Sequence, residues 1–411
     1  GEWADLAQLT DLHLEDKIMN VKKLEEVGGI LDGQVERGDV AGGSVLVLQD
    51  GKEIYRHNSG MADIARNIPV ESDTIFRIYS MTKPITAAAL MILHDRGMFD
   101  FEDSIAQYLP FFKNMTVLAE DGKIVPAKRE ITVREVVNMT SGLVYPDMSY
   151  PAGIKMEEVY HKYYEECEAG ARISTRELME RAARSPLAFQ PGEKWLYGIG
   201  ADVAGLLIEE LSGRSFREFL KKELFEPLGM TDTDFYVPKE KLYRFSEMYL
   251  WNDNENRLEV IPWQHLGLRG FFKEPPAFES GGAGLVSTAD DYAKFASMLI
   301  HGGVHNGTRL LSENAVKIMT TDHLTFEQRK TLDWDQCRGC GYSCLNRVLT
   351  DPSECEGVGN IGEYGWDGWL GTYYCNDPVD KITLIYMIQR CGGFGSYPSR
   401  QMKKIIYEAL K

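Results

Sequence analysis

Ser80-Met81-Thr82-Lys83 sets a hydroxyl and an amine three residues apart, directly before an apolar, Ala-rich run from Pro84 to Arg96. On a helix that spacing puts both side chains on one face, one turn apart. A serine hydroxyl is a poor nucleophile at neutral pH. It needs a neighbour that takes its proton and a field that favours the developing charge. A tetrad that opens a helix also lies at the positive end of the helix dipole, which lowers the lysine pKa. S-x-x-K alone recurs by chance, so its meaning depends on what else the chain supplies.

Other catalytic patterns are missing. There is no G-x-S-x-G elbow, no H-E-x-x-H and no Walker A loop. Gly198-Ile-Gly200 does not extend to a dinucleotide fingerprint, because Val203 holds the third glycine position. The eight histidines show no pairing with any serine, and lone ones such as His94 and His265 read as structural or surface residues. A Ser/Lys mechanism with a tyrosine as second proton carrier fits better than a Ser/His/Asp triad. Cys337, Cys340, Cys344 and Cys355 invite a zinc reading. Cys340, Tyr342 and Cys344 nevertheless alternate as on one face of a strand, so they are read as packing residues. No metal and no cofactor is expected.

The 411 residues are 44% hydrophobic and 26% charged, the composition of a globular protein with a sizeable core. A net charge of -17 argues against nucleic acid or an anionic membrane as partner. The longest apolar run, near Ile85 to Leu93, is too short to span a bilayer. Seven cysteines, an odd number, together with no visible secretory leader, favour the cytoplasm. The chain begins with Gly1, so a trimmed leader stays open.

The elements that must position the tetrad follow from periodicity and turn chemistry. Residues 17–37 read as an amphipathic helix with Leu24, Val27, Leu31 and Val35 at helical spacing. Ser44 to Gln49 and Glu53 to His57 flank Asp50-Gly51, a hairpin signal. The helix after Ser80 is apolar nearly all round, as a buried central helix is, and Gly97 suits its C-cap. Further helices are expected over Val133–Asn138, Thr175–Arg184, Ala201–Leu211 with Gly213 as cap, Phe216–Leu224 and Thr288–His301. Residues 145–170 and 240–278 read as loops lining the cleft. Gly371–Cys375 and Ile382–Gln389 form a second hairpin, and the chain ends in a helix carrying Met402, Ile405, Ile406 and Ala409 on one face. Strands thus lie at both ends with helices between. The expected fold is α/β (α+β): an antiparallel sheet from residues 1–79 and 280–411, with a mostly helical subdomain, 80–279, inserted in one catalytic unit.

Several segments, in order, make the tetrad specific. Phe76-Arg-Ile-Tyr-Ser80-Met-Thr-Lys83-Pro84 resembles the nucleophile motif of the serine β-lactamase/penicillin-binding-protein superfamily. Within it, the chain is most similar to the class C β-lactamase-like branch, with its family VIII carboxylesterases and D-stereospecific peptidases. Asn138-Met-Thr-Ser-Gly-Leu143 resembles its T-S-G-L segment, and Pro191-Gly-Glu-Lys-Trp-Leu-Tyr197 its second catalytic motif. Phe225-Glu-Pro-Leu-Gly-Met-Thr-Asp-Thr233, Ser280-Gly-Gly-Ala-Gly-Leu-Val-Ser-Thr288 and Tyr364-Gly-Trp-Asp-Gly-Trp-Leu-Gly-Thr372 are similar to later family segments. The likeness spans roughly residues 25–410. It implies a β-lactamase/transpeptidase-like fold, with the site between the sheet and the helical subdomain.

The resemblance also assigns roles. Ser80 is the expected nucleophile of an acyl-enzyme. Lys83 is either the proton acceptor or the cation that depresses its neighbours' pKa. Tyr197 matches the second-motif tyrosine, a general base for acylation and for the deacylating water. Coupled titration leaves the base unassigned between them. The backbone N–H groups of Ser80 and Trp369 form the implied oxyanion hole. Trp366, Asp367 and Gly368 stand where β-lactamases carry lysine–threonine–glycine, and with Tyr145 and Ile199 make up the expected substrate contacts. Two departures matter. Ile199 replaces the asparagine that holds a substrate amide, and no lysine stands in the third motif to anchor a carboxylate. Asp367 would add negative charge if it faces the cleft, whereas a loop arginine such as Arg269 is a candidate substitute anchor. The expected function is a serine hydrolase acting on a small-molecule ester or amide, esters first. The alternatives are a D-amino-acid peptidase or amidase, a weak β-lactamase, or a silent member binding peptidoglycan or protein.

Overall fold

The computed structural model describes residues 19–263, 265–268, 272–392 and 397–410. Its centre is an eight-stranded antiparallel sheet. In spatial order the strands are Cys340–Ser343, Asn346–Leu349, Tyr364–Asp367, Tyr373–Asp377, Ile382–Ile388, Gly42–Gln49, Lys52–Asp63 and Ile68–Pro69. Strands from early and late in the chain, Gly42–Gln49 and Ile382–Ile388, pair inside the sheet, where Val45 lies opposite Tyr386 and Val47 opposite Leu384. Asp50 and Gly51 both take positive φ, 49° and 72°, as the tight turn between Gln49 and Lys52 requires.

The period-two alternation of these strands divides the hydrophobic interior in two. Val45, Val47, Leu384 and Tyr386 pack against Leu24, just before the Glu25–Glu36 helix, against Val27 and Leu31 within it, and against Met402 and Ile406 of the Tyr397–Ala409 helix. Leu46, Leu48, Ile385 and Met387 face the opposite way, into the large core that holds the helical part. The Thr82–Asp95 helix runs through that core with every residue from Thr82 to Leu93 buried. Gly97, at φ 68°, follows its C-cap, and Gly213, at φ 69°, caps the Gly200–Ser212 helix.

The structure corrects several local readings. Residues Pro151–Glu168 form an 18-residue helix rather than a cleft loop. Its buried Met156, Tyr160, Tyr163 and Cys167 recur at helical spacing, but intervening Lys, Glu and His residues dilute the apolar signal. Within 240–278, Tyr249–Asn252 and Arg257–Val260 pair as a hairpin, and Arg390–Cys391 adds alongside Tyr249–Leu250 in parallel. Strands of four residues carry too few alternations to register as a pattern. The Phe216–Leu224 reading splits into a helix, Phe216–Leu220, and a π-turn over Lys221–Phe225. The first helix starts as a 3-10 turn at Val21–Leu24, and residues 17 and 18 lie outside the described residues. The Tyr373–Asp377 strand begins two residues later than expected, because Gly371 at φ 91° belongs to the preceding turn. Cys337, Cys340, Cys344 and Cys375 are buried free thiols, and no group of His, Cys, Asp and Glu suited to a metal occurs among the described residues. No described helix is long and apolar enough to cross a membrane.

Candidate active site

Ser80 sits in a 3-10 turn, Tyr79–Met81, that runs directly into the Thr82–Asp95 helix. The tetrad therefore opens the helix. Tyr79 carries a φ of 40°, a left-handed backbone that costs a non-glycine residue about 1 kcal/mol or more. Burial holds it there. Its ring packs on Trp369 at 5.2 Å, and its hydroxyl contacts the Met248 sulfur at 3.6 Å. The sharp turn presents Ser80 at the floor of a cavity of about 600 Å³.

Two donors converge on Ser80 Oγ: Lys83 Nζ at 3.1 Å and the Tyr197 hydroxyl at 2.8 Å. Lys83 Nζ also donates to the Tyr145 hydroxyl at 3.0 Å and to the Gly282 carbonyl at 2.8 Å. An ammonium has three N–H bonds, and here each has an acceptor. Lys83 is fully buried, and burial pulls its pKa down to about 7, opposed by the charge of Asp202. Tyr197 accepts from Trp366 Nε1 at 3.0 Å, which orients its own O–H toward Ser80. Burial pushes the Tyr197 phenol well above its ordinary value, so it stays protonated at rest. An amine near neutrality and a protonated phenol thus share one serine oxygen, an arrangement able to take a proton from it and to give one back.

The third-motif segment closes the cavity from the sheet side. A Cβ on Gly368 would collide with Thr372 Oγ1 and with the Ile78 carbonyl, so only glycine lets this turn approach the backbone beside Ser80. Gly368 N–H donates to the Thr372 carbonyl at 2.7 Å, and Thr372 Oγ1 to the Ile78 carbonyl at 3.4 Å. Trp369 follows, and its ring stacks on His265 at 4.0 Å. Trp366, Asp367, Gly368, Trp369 and Tyr145 all line the cavity with Ser80 and Tyr197.

Two expectations about the lining are corrected. Ile199 does not line the cavity: it is fully buried at the start of the Gly200–Ser212 helix. Gly198 is pressed on the Leu143 carbonyl and Gly200 on the Val136 carbonyl, so the backbone on either side is held against neighbouring chain while Ile199 packs in the core. Asp367 does face the cavity, but it adds no unbalanced charge. Arg347, itself buried, donates to it at 2.6 Å. Arg269 lies outside the described residues.

Sequence reasoning also missed contributors. Tyr145 was expected only as a substrate contact, yet its hydroxyl accepts from Lys83 Nζ. Gly282 lies in the Ser280–Thr288 segment, whose pattern was visible without a role. His265 was read as structural or surface, but it borders the cavity. Burial and the nearby Lys83 lower its pKa to about 4, so it is neutral at pH 7. Trp334, an isolated aromatic in a polar stretch, packs on Tyr197 at 4.9 Å and completes the aromatic wall.

Residues 27–404 match the family described as Beta-lactamase. A Mycobacterium tuberculosis (strain ATCC 25618 / H37Rv) protein is 32% identical over 366 residues, covering 87% of each chain. Esterase EstB of Burkholderia gladioli is 26% identical, over 87% of this chain and 88% of its own. Among solved structures, EstCE1, a hydrolase with promiscuous acyltransferase activity, superposes with a TM-score of 0.78 at 25% identity, over 94% of this chain and 99% of its own.

Proposed function

From the premise that the chain belongs to the Beta-lactamase family and is a serine hydrolase, we propose that it cleaves small esters through an acyl-enzyme on Ser80, with Lys83 and Tyr197 as the proton-transfer pair. The observation that carries the reading is the convergence of Lys83 Nζ and the Tyr197 hydroxyl on Ser80 Oγ.

In this reading the Lys83/Tyr197 pair takes the Ser80 proton as Oγ bonds to the acyl carbon. The carbonyl oxygen gains the negative charge, and the N–H groups of Ser80 and Trp369 receive it. The tetrahedral centre then collapses, the ester C–O bond breaks, and the pair returns the proton to the leaving alkoxide. A water molecule repeats the sequence in reverse, and Ser80 recovers its proton as the acid leaves.

The preference for esters rests on the lining. No lysine or arginine is among the described residues that border the cavity, and Asp367 is matched by Arg347. A substrate carboxylate therefore lacks the cationic partner that a β-lactam or a peptide C-terminus requires. The position that would offer an amide side chain is Ile199, buried in the core. Walls of Trp334, Trp366, Trp369, Tyr145 and Tyr197 suit a partly apolar acyl or alcohol group, and the Asp147 carboxylate that also borders the cavity disfavours an anionic one.

Ser80→Ala is expected to lower hydrolysis of short p-nitrophenyl esters by roughly a thousandfold or more. Mass spectrometry after exposure to esters, amides and β-lactams should find the acyl adduct on Ser80 with the esters. Retained esterase activity in the variant sinks the proposal. Adducts from β-lactams or D-alanyl amides alone would transfer the assignment to a β-lactamase or a peptidase.

A further inference from the structure

Asp202 is a carboxylate buried in the core of the helical part, at 1% exposure, that the proton-transfer scheme above does not use. Its Oδ1 accepts from Ser280 Oγ at 2.6 Å and from the Gly282 N–H at 3.0 Å. No ion pair at contact distance reaches it among the described residues. Burying an ionised carboxylate without a contacting cation is costly, so its presence asks for a reason.

The reason lies one peptide unit away. The same Gly282 whose N–H is held by Asp202 offers its carbonyl to Lys83 Nζ. A Cβ on Gly282 would crowd the Tyr145 hydroxyl at 2.6 Å and the Asp202 carboxylate at 3.2 Å, so these groups close around one glycine. Ser280 reinforces the turn, since its Oγ also accepts from the Ala283 N–H at 3.0 Å. We infer that Asp202 is a positioning residue for Lys83: it fixes the Gly282 carbonyl on the lysine amine and supplies the buried negative charge that holds a proton there. The inference rests on the hydrolase reading above.

The groups facing Lys83 support a single counter-charge. Ser80 comes from its own turn, Tyr145 from the segment after Leu143, Tyr197 from the segment before the Gly200–Ser212 helix, and His265 from across the cavity. Burial holds both tyrosines protonated, and His265, with a pKa of about 4, is neutral at pH 7. Asp202 remains as the group that favours the charged amine. Burial raises its own pKa, while Ser280 Oγ, Lys83 and the Gly282 N–H oppose that rise. The proton on Lys83 is thus balanced between desolvation, which expels it, and Asp202, which retains it.

Asp202→Asn keeps an oxygen acceptor for Ser280 and Gly282 and removes the charge. The acidic limb of the kcat/KM profile for a p-nitrophenyl ester is expected to move down by about one pH unit. A weaker base also lowers the alkaline plateau, to roughly a tenth. The pH dependence of Ser80 labelling by a fluorophosphonate should shift with it. An unmoved limb overturns the inference while leaving the hydrolase reading intact, because a merely structural acid would change stability and not the limb. If wild-type protein neither turns over an ester nor takes label on Ser80, the hydrolase reading itself fails, and this inference with it. Should the variant not fold, carbon-13 NMR of carboxyl-labelled aspartate in the wild type decides. Asp202 ionised at pH 7 supports the inference, and Asp202 protonated at that pH overturns it.

Discussion

Among the described residues, Lys83 is fully buried and Lys403 is mostly covered, each in a polar cluster, and their pKa values shift in opposite directions. Lys403, on the Tyr397–Ala409 helix, donates to Glu363 Oε1 at 2.6 Å, while Tyr407 from the same helix bonds both Glu363 and Asp377. Glu363 is almost wholly buried, and its charge raises the Lys403 pKa despite desolvation. Lys83 touches three neutral oxygens instead, and its pKa falls to about 7. The lesson is that burial alone does not make a lysine reactive. A contacting carboxylate locks the proton on and makes a clasp; a carboxylate held one hydrogen-bonded step away leaves the amine poised near neutrality.

Removing each ammonium should separate the two roles. Lys83→Met is expected to lower kcat/KM by roughly a thousandfold or more, with the fold retained, since an apolar chain of similar length fills the site. Stability supplies the sign. The folded pKa, about 7, lies below the ordinary value of 10.5, so between those values the unfolded chain binds the proton and the folded one does not. Wild-type stability relative to Lys83→Met therefore rises with pH from about 7 toward 10.5, as urea titrations across that range would record. A difference that falls with pH would contradict the poised-amine reading. For Lys403 the folded pKa is raised, so its contribution is present below the ordinary value and is lost as pH climbs through the folded one.

Lys403→Met should leave catalysis by the folded fraction unchanged and destabilise the protein by about 3 kcal/mol or more, because Glu363 is left buried without its partner. Chemical denaturation monitored by tryptophan fluorescence measures this, and a loss of kcat at full folding would blur the distinction between clasp and site. The smallest effect is expected from Trp366→Phe. It removes the Nε1–H that Tyr197 accepts but keeps an aromatic wall, so kcat should fall by roughly tenfold with little change in KM. An unchanged kcat would mean that Tyr197 needs no orienting donor.

Much of this was legible in the chain. The Asp50-Gly51 turn and the apolar helix after Ser80 follow from near-neighbour chemistry, which short windows of sequence encode, whereas the joining of early and late strands in one antiparallel sheet was inferred from the order of strands and helices along the chain. The Pro151–Glu168 helix was obscured because its buried face is a narrow stripe among charged residues. The Tyr249–Asn252 and Arg257–Val260 hairpin was obscured because its strands are short and pair outside the main sheet. At the site, the spacing of Ser80 and Lys83 and the expectation of a tyrosine partner needed only sequence. The inward burial of Ile199 and the balancing of Asp367 by Arg347 did not appear there, since each depends on a contact distant along the chain.

The sequence by itself determined that a serine and a lysine share one helical face at the start of a buried helix, because a three-residue spacing and an apolar run are local properties. Tertiary structure decided what that lysine is. Tyr145 and Gly282 reach it from two separate segments while Asp202, on a third, bonds Gly282 rather than the lysine, and this packing withholds a contacting carboxylate and lowers the lysine pKa to about 7. Proton affinity is a property of surroundings, and the surroundings of Lys83 are assembled only when the chain folds.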